Sequence, residues 1–135
     1  MDDGYAELSD FLGPPIDIYN RKQAIADGVL VDVTFMAAEA GIACPVAVTR
    51  PVWDRYIVPD DASRMLGQSE HGRLWDVVSL LWHAAGRFRP DVPEVRFPVA
   101  FVMNGDLAKT VVLKAVAGGG DRGELVLTVM MPGED

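Results

Sequence analysis

Asp76, His71, His83 and Cys44 are the side chains of this chain best suited to chemistry, and their spacing limits what they can do. Asp76 and His83 fall on one face of a helix, the arrangement by which a carboxylate orients a histidine as a general base. They stand two turns apart, about 10 Å along the axis, which is too far for a direct hydrogen bond. His71 and His83 are separated by twelve residues, or about 120° around a helix, so one helical face cannot offer both to a metal. The sequence has no HExxH, paired CxxC or EF-hand pattern. No catalytic residue, metal or cofactor is therefore expected. A lone Cys44 cannot form an internal disulfide, and in the apolar stretch 42–48 it reads as a small buried hydrophobe rather than a reactive thiol.

The glycine-rich segment 118–123, GGGDRG, invites a phosphate-loop reading. That chemistry needs a lysine and a serine or threonine opening a helix, and here Arg122, Gly123 and a β-prone run follow instead. The segment reads as a hairpin connection with Asp121 and Arg122 at its tip. No GxSxG elbow is present, and the serines fit caps and loops.

The element best placed to organise the chain is 69–88, SEHGRLWDVVSLLWHAAGRF. Ser69 is a good N-cap, Glu70 suits the positive helix start and Arg87 the negative end. Leu74, Val77, Val78, Leu81, Ala85 and Phe88 follow helical spacing and define a buried stripe. His71, Trp75 and Trp82 share one shoulder of it. Arg73, Asp76, Ser79, His83 and Arg87 are assigned to the solvated far side.

Beyond Pro90 and Pro93 the apolar period changes from 3.6 to 2. Val95, Phe97, Val99, Phe101 and Met103 alternate as one strand face, and Asn104-Gly105-Asp106 is a hairpin signal. Further strands are expected at about 109–117 and 124–131. Upstream, a short helix is expected at 19–26, closing at Asp27-Gly28, and a short strand at 29–33. Thr34 should cap a helix that ends before Gly41. Pro45 marks an edge strand or a strand start in 42–48. Thr49 and Pro51 open a helix to about 56, with a polar loop over 59–68. The expected fold is α+β: a C-terminal three-stranded antiparallel meander packed by a long central helix and shorter N-terminal helices. Residues 1–15 read as a flexible acidic arm, and 16–135 as a single domain.

The net charge of −8 is concentrated at the ends. Asp2, Asp3, Glu7 and Asp10 sit in 1–15 without a base, and Glu134 and Asp135 close the chain, so the body is nearly neutral. A neutral body weighs against direct nucleic-acid binding, which wants a basic face. The acidic, solvated ends carry no basic signal region, and no apolar run approaches the roughly 20 residues of a membrane span. With one cysteine, a cytoplasmic setting without membrane attachment is expected.

Four segments, DGVLVDVTFMAAEAGI at 27–42, PVAVTRPVWDRYI at 45–57, GRLWDVVSLL at 72–81 and the stretch 111–135, together resemble an uncharacterised family of small proteins. That family is carried on bacterial plasmids, integrative elements and phages. The resemblance brings no catalytic residues. It implies a mobile-element setting, where small proteins often blunt host defence in the manner of anti-CRISPR and antirestriction factors. The expected function is non-enzymatic: binding a host protein or ribonucleoprotein complex. Trp53, Arg55, Arg73, Trp75, Trp82, Asp121 and Arg122 are the candidate contact residues, since tryptophan and arginine serve both cores and interface anchors. Two rivals stand beside it. One is a small enzyme using Asp76, His83, Asp121 and Arg122. The other is a structural or regulatory homodimer.

Overall fold

The computed structural model describes residues 20–103 and 107–134. The expected acidic arm over 1–15 and the Asn104-Gly105-Asp106 turn lie outside the described residues. In chain order the elements are α1 (Arg21–Ala26), β1 (Leu30–Asp32), α2 (Thr34–Glu39) and β2 (Val46–Thr49), then α3 (50–57) and α4 (Asp61–Met65). They continue with α5 (Glu70–Ala84), β3 (Glu94–Met103), β4 (Leu107–Gly119) and β5 (Leu125–Met130). Helix α3 is an α-helical turn, Arg50–Val52, running into a π-helical turn, Trp53–Ile57. A single 3₁₀ turn, Ala85–Arg87, extends α5.

The fold is mixed α+β, with one five-stranded sheet in the order β1-β2-β5-β4-β3. The expected meander is present as β3-β4-β5, joined antiparallel throughout. The meander is part of a larger sheet, because the two expected N-terminal strands join it. Strand β2 adds parallel to β5, with Val46 opposite Leu127 and Val48 opposite Val129, and β1 adds antiparallel to β2. All four residues of β2 are buried, as a strand covered on both faces must be. Pro45 sits just before it and starts the strand rather than marking an edge.

Helix α5 begins where expected: the Ser69 hydroxyl accepts the Gly72 N–H at 3.0 Å. Its Leu74, Val77, Val78, Leu81 and Ala84 are buried against Val95, Phe97, Val99 and Phe101 of β3 in one core cluster. Leu113, Ala115, Leu127 and Val129 continue that face across β4 and β5. Helix α2 ends in a left-handed closure: Gly41 N–H reaches Ala38 O at 3.0 Å and Ile42 N–H reaches Ala37 O at 2.9 Å. Gly41 has φ +106, a conformation a side chain resists.

Two loop expectations need correction. The segment 59–68 is not a plain loop: Asp60 accepts the Ser63 N–H at 2.7 Å and caps α4, whose Ser63 hydroxyl donates to Val102 O at 3.2 Å. Thr49 does not cap α3. Its hydroxyl donates to Glu134 Oε2 at 2.9 Å, and the same carboxylate oxygen accepts the Met131 N–H at 2.8 Å.

The described C-terminal residues are accordingly built into the body. Lys114, on the sheet face opposite the core helix and only 7% exposed, donates Nζ to Glu134 O at 2.6 Å and Pro132 O at 3.3 Å. Removing these acceptors would leave a buried ammonium short of partners. Glu134→Ala, which deletes the carboxylate and keeps the backbone, is expected to cost about 1–3 kcal/mol. Ending the chain at Met131 should cost more than that. Urea midpoints for the two variants check this ordering, and a truncated chain as stable as the full one contradicts it.

Strand β3 forms one edge of the sheet. Its Arg96 O accepts Arg87 Nη2 at 2.6 Å, and its Val102 O accepts from Arg73 and Ser63. Antiparallel strands point alternate residues toward and away from the neighbour. The even-numbered residues of β3 therefore turn their polar groups to the open edge. Pro98 belongs to that set, so its missing N–H takes a donor from the edge rather than from the β3–β4 ladder. A proline and two occupied carbonyls make this edge a poor template for a further strand, which weakens strand pairing as a route to a homodimer.

Candidate functional site

A groove of about 600 Å³ opens at the C-terminal end of α5. Three stretches wall it: the α2–β2 loop with Gly41, Ile42 and Cys44, the 85–93 stretch with Phe88 and Arg89, and the facing ends of β4 and β5. Trp82 reaches in from α5. This combination follows from the chain's turn chemistry. The left-handed Gly41 bends the chain back beside α5, and a Cβ there would lie 2.8 Å from Trp82 Nε1. Pro90 and Pro93 end the helical segment, and an Arg89–Val92 backbone bridge with bonds of 3.1 and 3.0 Å holds the turn. The lining is mostly apolar. Apolar surface also stays open around it: Trp82 is 49% exposed, Leu125 58%, and Val92 in the same turn is exposed too. Trp75, two turns back along α5, is 41% exposed.

Gly41→Ala tests how tightly the groove is defined. The substitution forces a side chain into φ +106 and against the Trp82 indole. The expected loss is about 1–3 kcal/mol, with a shift in tryptophan emission as Trp82 moves. Chemical denaturation followed by fluorescence reads both, and an unchanged midpoint contradicts it.

The seven candidate contact residues separate into four groups. Trp75 and Trp82 share one flank of α5, as their spacing predicts, and both are exposed there rather than packed into the core. Trp82 lies against the Gly41 backbone. Trp53 is half-buried against the core. Arg55 and Arg122 are exposed, Arg55 with its guanidinium 5.8 Å from the Tyr56 ring and 3.9 Å from Met131 Sδ.

Arg73 and Asp121 serve the fold, and their placement corrects the sequence reading. Arg73 is only 2% exposed, not on a solvated face. It donates to Tyr56 O at 2.9 Å, to Val102 O, and through Nε to Gln68 Oε1 at 3.3 Å. Burial pulls its pKa below the usual arginine value, with Asp60 opposing the fall. Arg73 sits one position before Leu74, at the margin of the apolar stripe, and the open carbonyl of Val102 draws it inward. Asp121 caps α1 from the β4–β5 turn: Oδ1 accepts the Arg21 N–H at 2.7 Å and Oδ2 the Lys22 N–H at 3.0 Å. The Arg21 guanidinium then reaches Leu127 O and Thr128 Oγ1, each at 2.8 Å. Nothing in the local sequence announces a bond across 100 residues.

The remaining chemistry-bearing groups stay apart. Among the described residues no hydrogen bond or ion pair joins Asp76 to His83. Partial burial alone raises the Asp76 carboxyl pKa. Burial also pushes the Cys44 thiol up, which favours the protonated, unreactive form at neutral pH. No group of three or more metal-ligating side chains occurs among the described residues. No helix among them is long and apolar enough to cross a membrane. Comparison with protein-family models, with curated proteins and with solved structures returns no match.

Proposed function

We propose that this protein is a non-enzymatic interaction factor that binds a partner protein through the Trp82 groove. The observation that carries this reading is the open apolar groove with a half-exposed tryptophan at its wall. An exposed apolar patch on a folded surface marks an interaction site, and tryptophan is enriched among interface anchors. The groove is also held in shape before binding, by the Gly41 closure and the Arg89–Val92 bridge, which lowers the ordering cost of association.

The resemblance of four segments to a family borne on plasmids, integrative elements and phages supplies the setting. In that setting the partner is a host defence protein or ribonucleoprotein complex, and the outcome of binding is inhibition of an anti-invader system of the CRISPR or restriction type. The nearly neutral body makes a protein surface the better target than nucleic acid.

Phage plaquing and plasmid transfer test this. Expression of the protein should raise plaquing at least about tenfold on a host carrying the targeted defence, and leave it unchanged on a host without one. Trp82→Ala should lose the effect while remaining folded, because half of the side chain is already in solvent. Equal plaquing across a panel of CRISPR- and restriction-positive hosts, with and without the protein, would remove the defence reading.

A further inference from the structure

Arg89 is the sole charged side chain among the described residues lining the groove. It is exposed, and among the described residues its guanidinium has neither a carboxylate nor a carbonyl partner. Most of the other arginines are engaged. Arg21, Arg73 and Arg87 hold backbone carbonyls. Arg50, Arg64 and Arg96 face Asp54, Glu70 and Glu94 at 3.4, 3.0 and 3.7 Å. Arg55 lies over a tyrosine ring. Arg122 is similarly unpaired but stands on the β4–β5 turn, outside the lining.

The position of Arg89 is fixed. Its N–H and C=O are both used in the bridge to Val92, so the backbone that carries the guanidinium does not have to be ordered when a ligand arrives. The nearby acids do not pair with it: neither Asp91 nor Glu94 lines the groove or forms an ion pair with Arg89, and Glu94 faces Arg96. An unpaired guanidinium carried on a held backbone at the margin of an apolar groove is complementary to a carboxylate carried next to an apolar side chain, and arginine binds carboxylates in a directional, two-pronged way.

We propose that the groove takes an acidic, apolar peptide segment of the partner protein, with one large apolar side chain against Trp82 and Phe88 and a neighbouring carboxylate on Arg89. This rests on the reading of the groove as a protein-binding site and names the chemistry of what enters it.

The test uses the full chain and three blocked tetrapeptides sharing a central Leu-Phe, flanked on both sides by glutamate, glutamine or lysine. Binding is followed by the indole N–H signal of Trp82 in two-dimensional NMR and by tryptophan fluorescence. The glutamate-flanked peptide is expected to bind about 5–10-fold more tightly than the glutamine-flanked one, with the lysine-flanked peptide weakest. The difference should shrink as salt is raised from 0.05 to about 0.5 M. Arg89→Glu should reverse the order. Lys109→Glu, at an exposed position outside the lining, should leave it unchanged, and Trp82→Ala should weaken all three.

Several results would overturn the proposal. Equal affinity of the glutamate and glutamine peptides, or an order that survives Arg89→Glu, removes the carboxylate and leaves the groove as a purely apolar protein site. Failure of all three peptides to bind removes the acidic segment as the occupant. Binding that is indifferent to Trp82→Ala removes the groove itself, and the function proposed for it falls as well. Dimerisation that Trp82→Ala abolishes would assign the groove to a second copy of this chain.

Discussion

Arg73→Ala is expected to lower stability by about 3–5 kcal/mol, the largest effect of any polar substitution in this chain. The guanidinium ties the end of α3, through Tyr56 O, to the end of β3, through Val102 O, while its backbone belongs to the first turns of α5. Three elements thus meet on one side chain. Its loss leaves the Tyr56 carbonyl without this donor and strips one of the two donors from Val102 O, whose other partner is the Ser63 hydroxyl. Each unsatisfied buried group costs about 1–3 kcal/mol, and the lost packing of the buried stem adds to that. In a chain of this size the melting temperature should fall by roughly 10–20 °C. Arg73→Lys should recover little, because one ammonium cannot span both carbonyls with the spread of a guanidinium. Arg73→Met, which restores volume without donors, should fall between alanine and wild type. Calorimetry on the three variants gives the ordering. A methionine variant as stable as wild type would show that the hydrogen bonds contribute nothing net.

Arg73 also shows where the sequence stops being legible. Capping chemistry predicts the start of α5 at Ser69, and helical spacing predicts the stripe from Leu74 to Leu81, because both depend on neighbours within a few residues. The alternation in β3 and the closure at Gly41 are local in the same sense. The inward turn of Arg73 depends on a carbonyl 29 positions away. The parallel pairing of β2 with β5 joins residues some 80 positions apart, and a uniformly apolar four-residue strand carries no period to reveal its neighbour. Asp121 reads as a hairpin tip because that is its local role; its second role, capping α1, exists only once the sheet is assembled. The groove had the same fate. Trp82 is legible as a shoulder residue, but Arg89 enters the site only through the turn between Pro90 and Pro93, which sequence reading treats as a helix stop.

Phe101→Ala is the companion prediction, with an expected loss of about 3–5 kcal/mol. Phe101 is buried on β3, stacks on Tyr56 with ring centroids 5.4 Å apart and planes inclined by 15°, and lies 5.7 Å beneath the Arg73 guanidinium. The cavity term dominates, and the loss of the aromatic stack and the cation–π contact adds smaller amounts. Because Arg73 and Phe101 share Tyr56 and the end of β3, their effects should not add. The double variant is expected to be about 0.5–3 kcal/mol more stable than the sum of the single losses implies. Strict additivity in urea denaturation would mean that the cluster does not act as a unit. Trp82 lies nine residues further along α5, about 13 Å by helical rise. Damage at the Arg73–Phe101 end should therefore reduce the fraction of folded molecules without altering the affinity of those that remain folded. Gly41→Ala, besides its own loss of stability, should also change the affinity of the molecules that remain folded, because its added methyl group meets Trp82 directly. Comparing the two variants at equal folded fraction separates the part of the molecule that holds it together from the part that meets its partner.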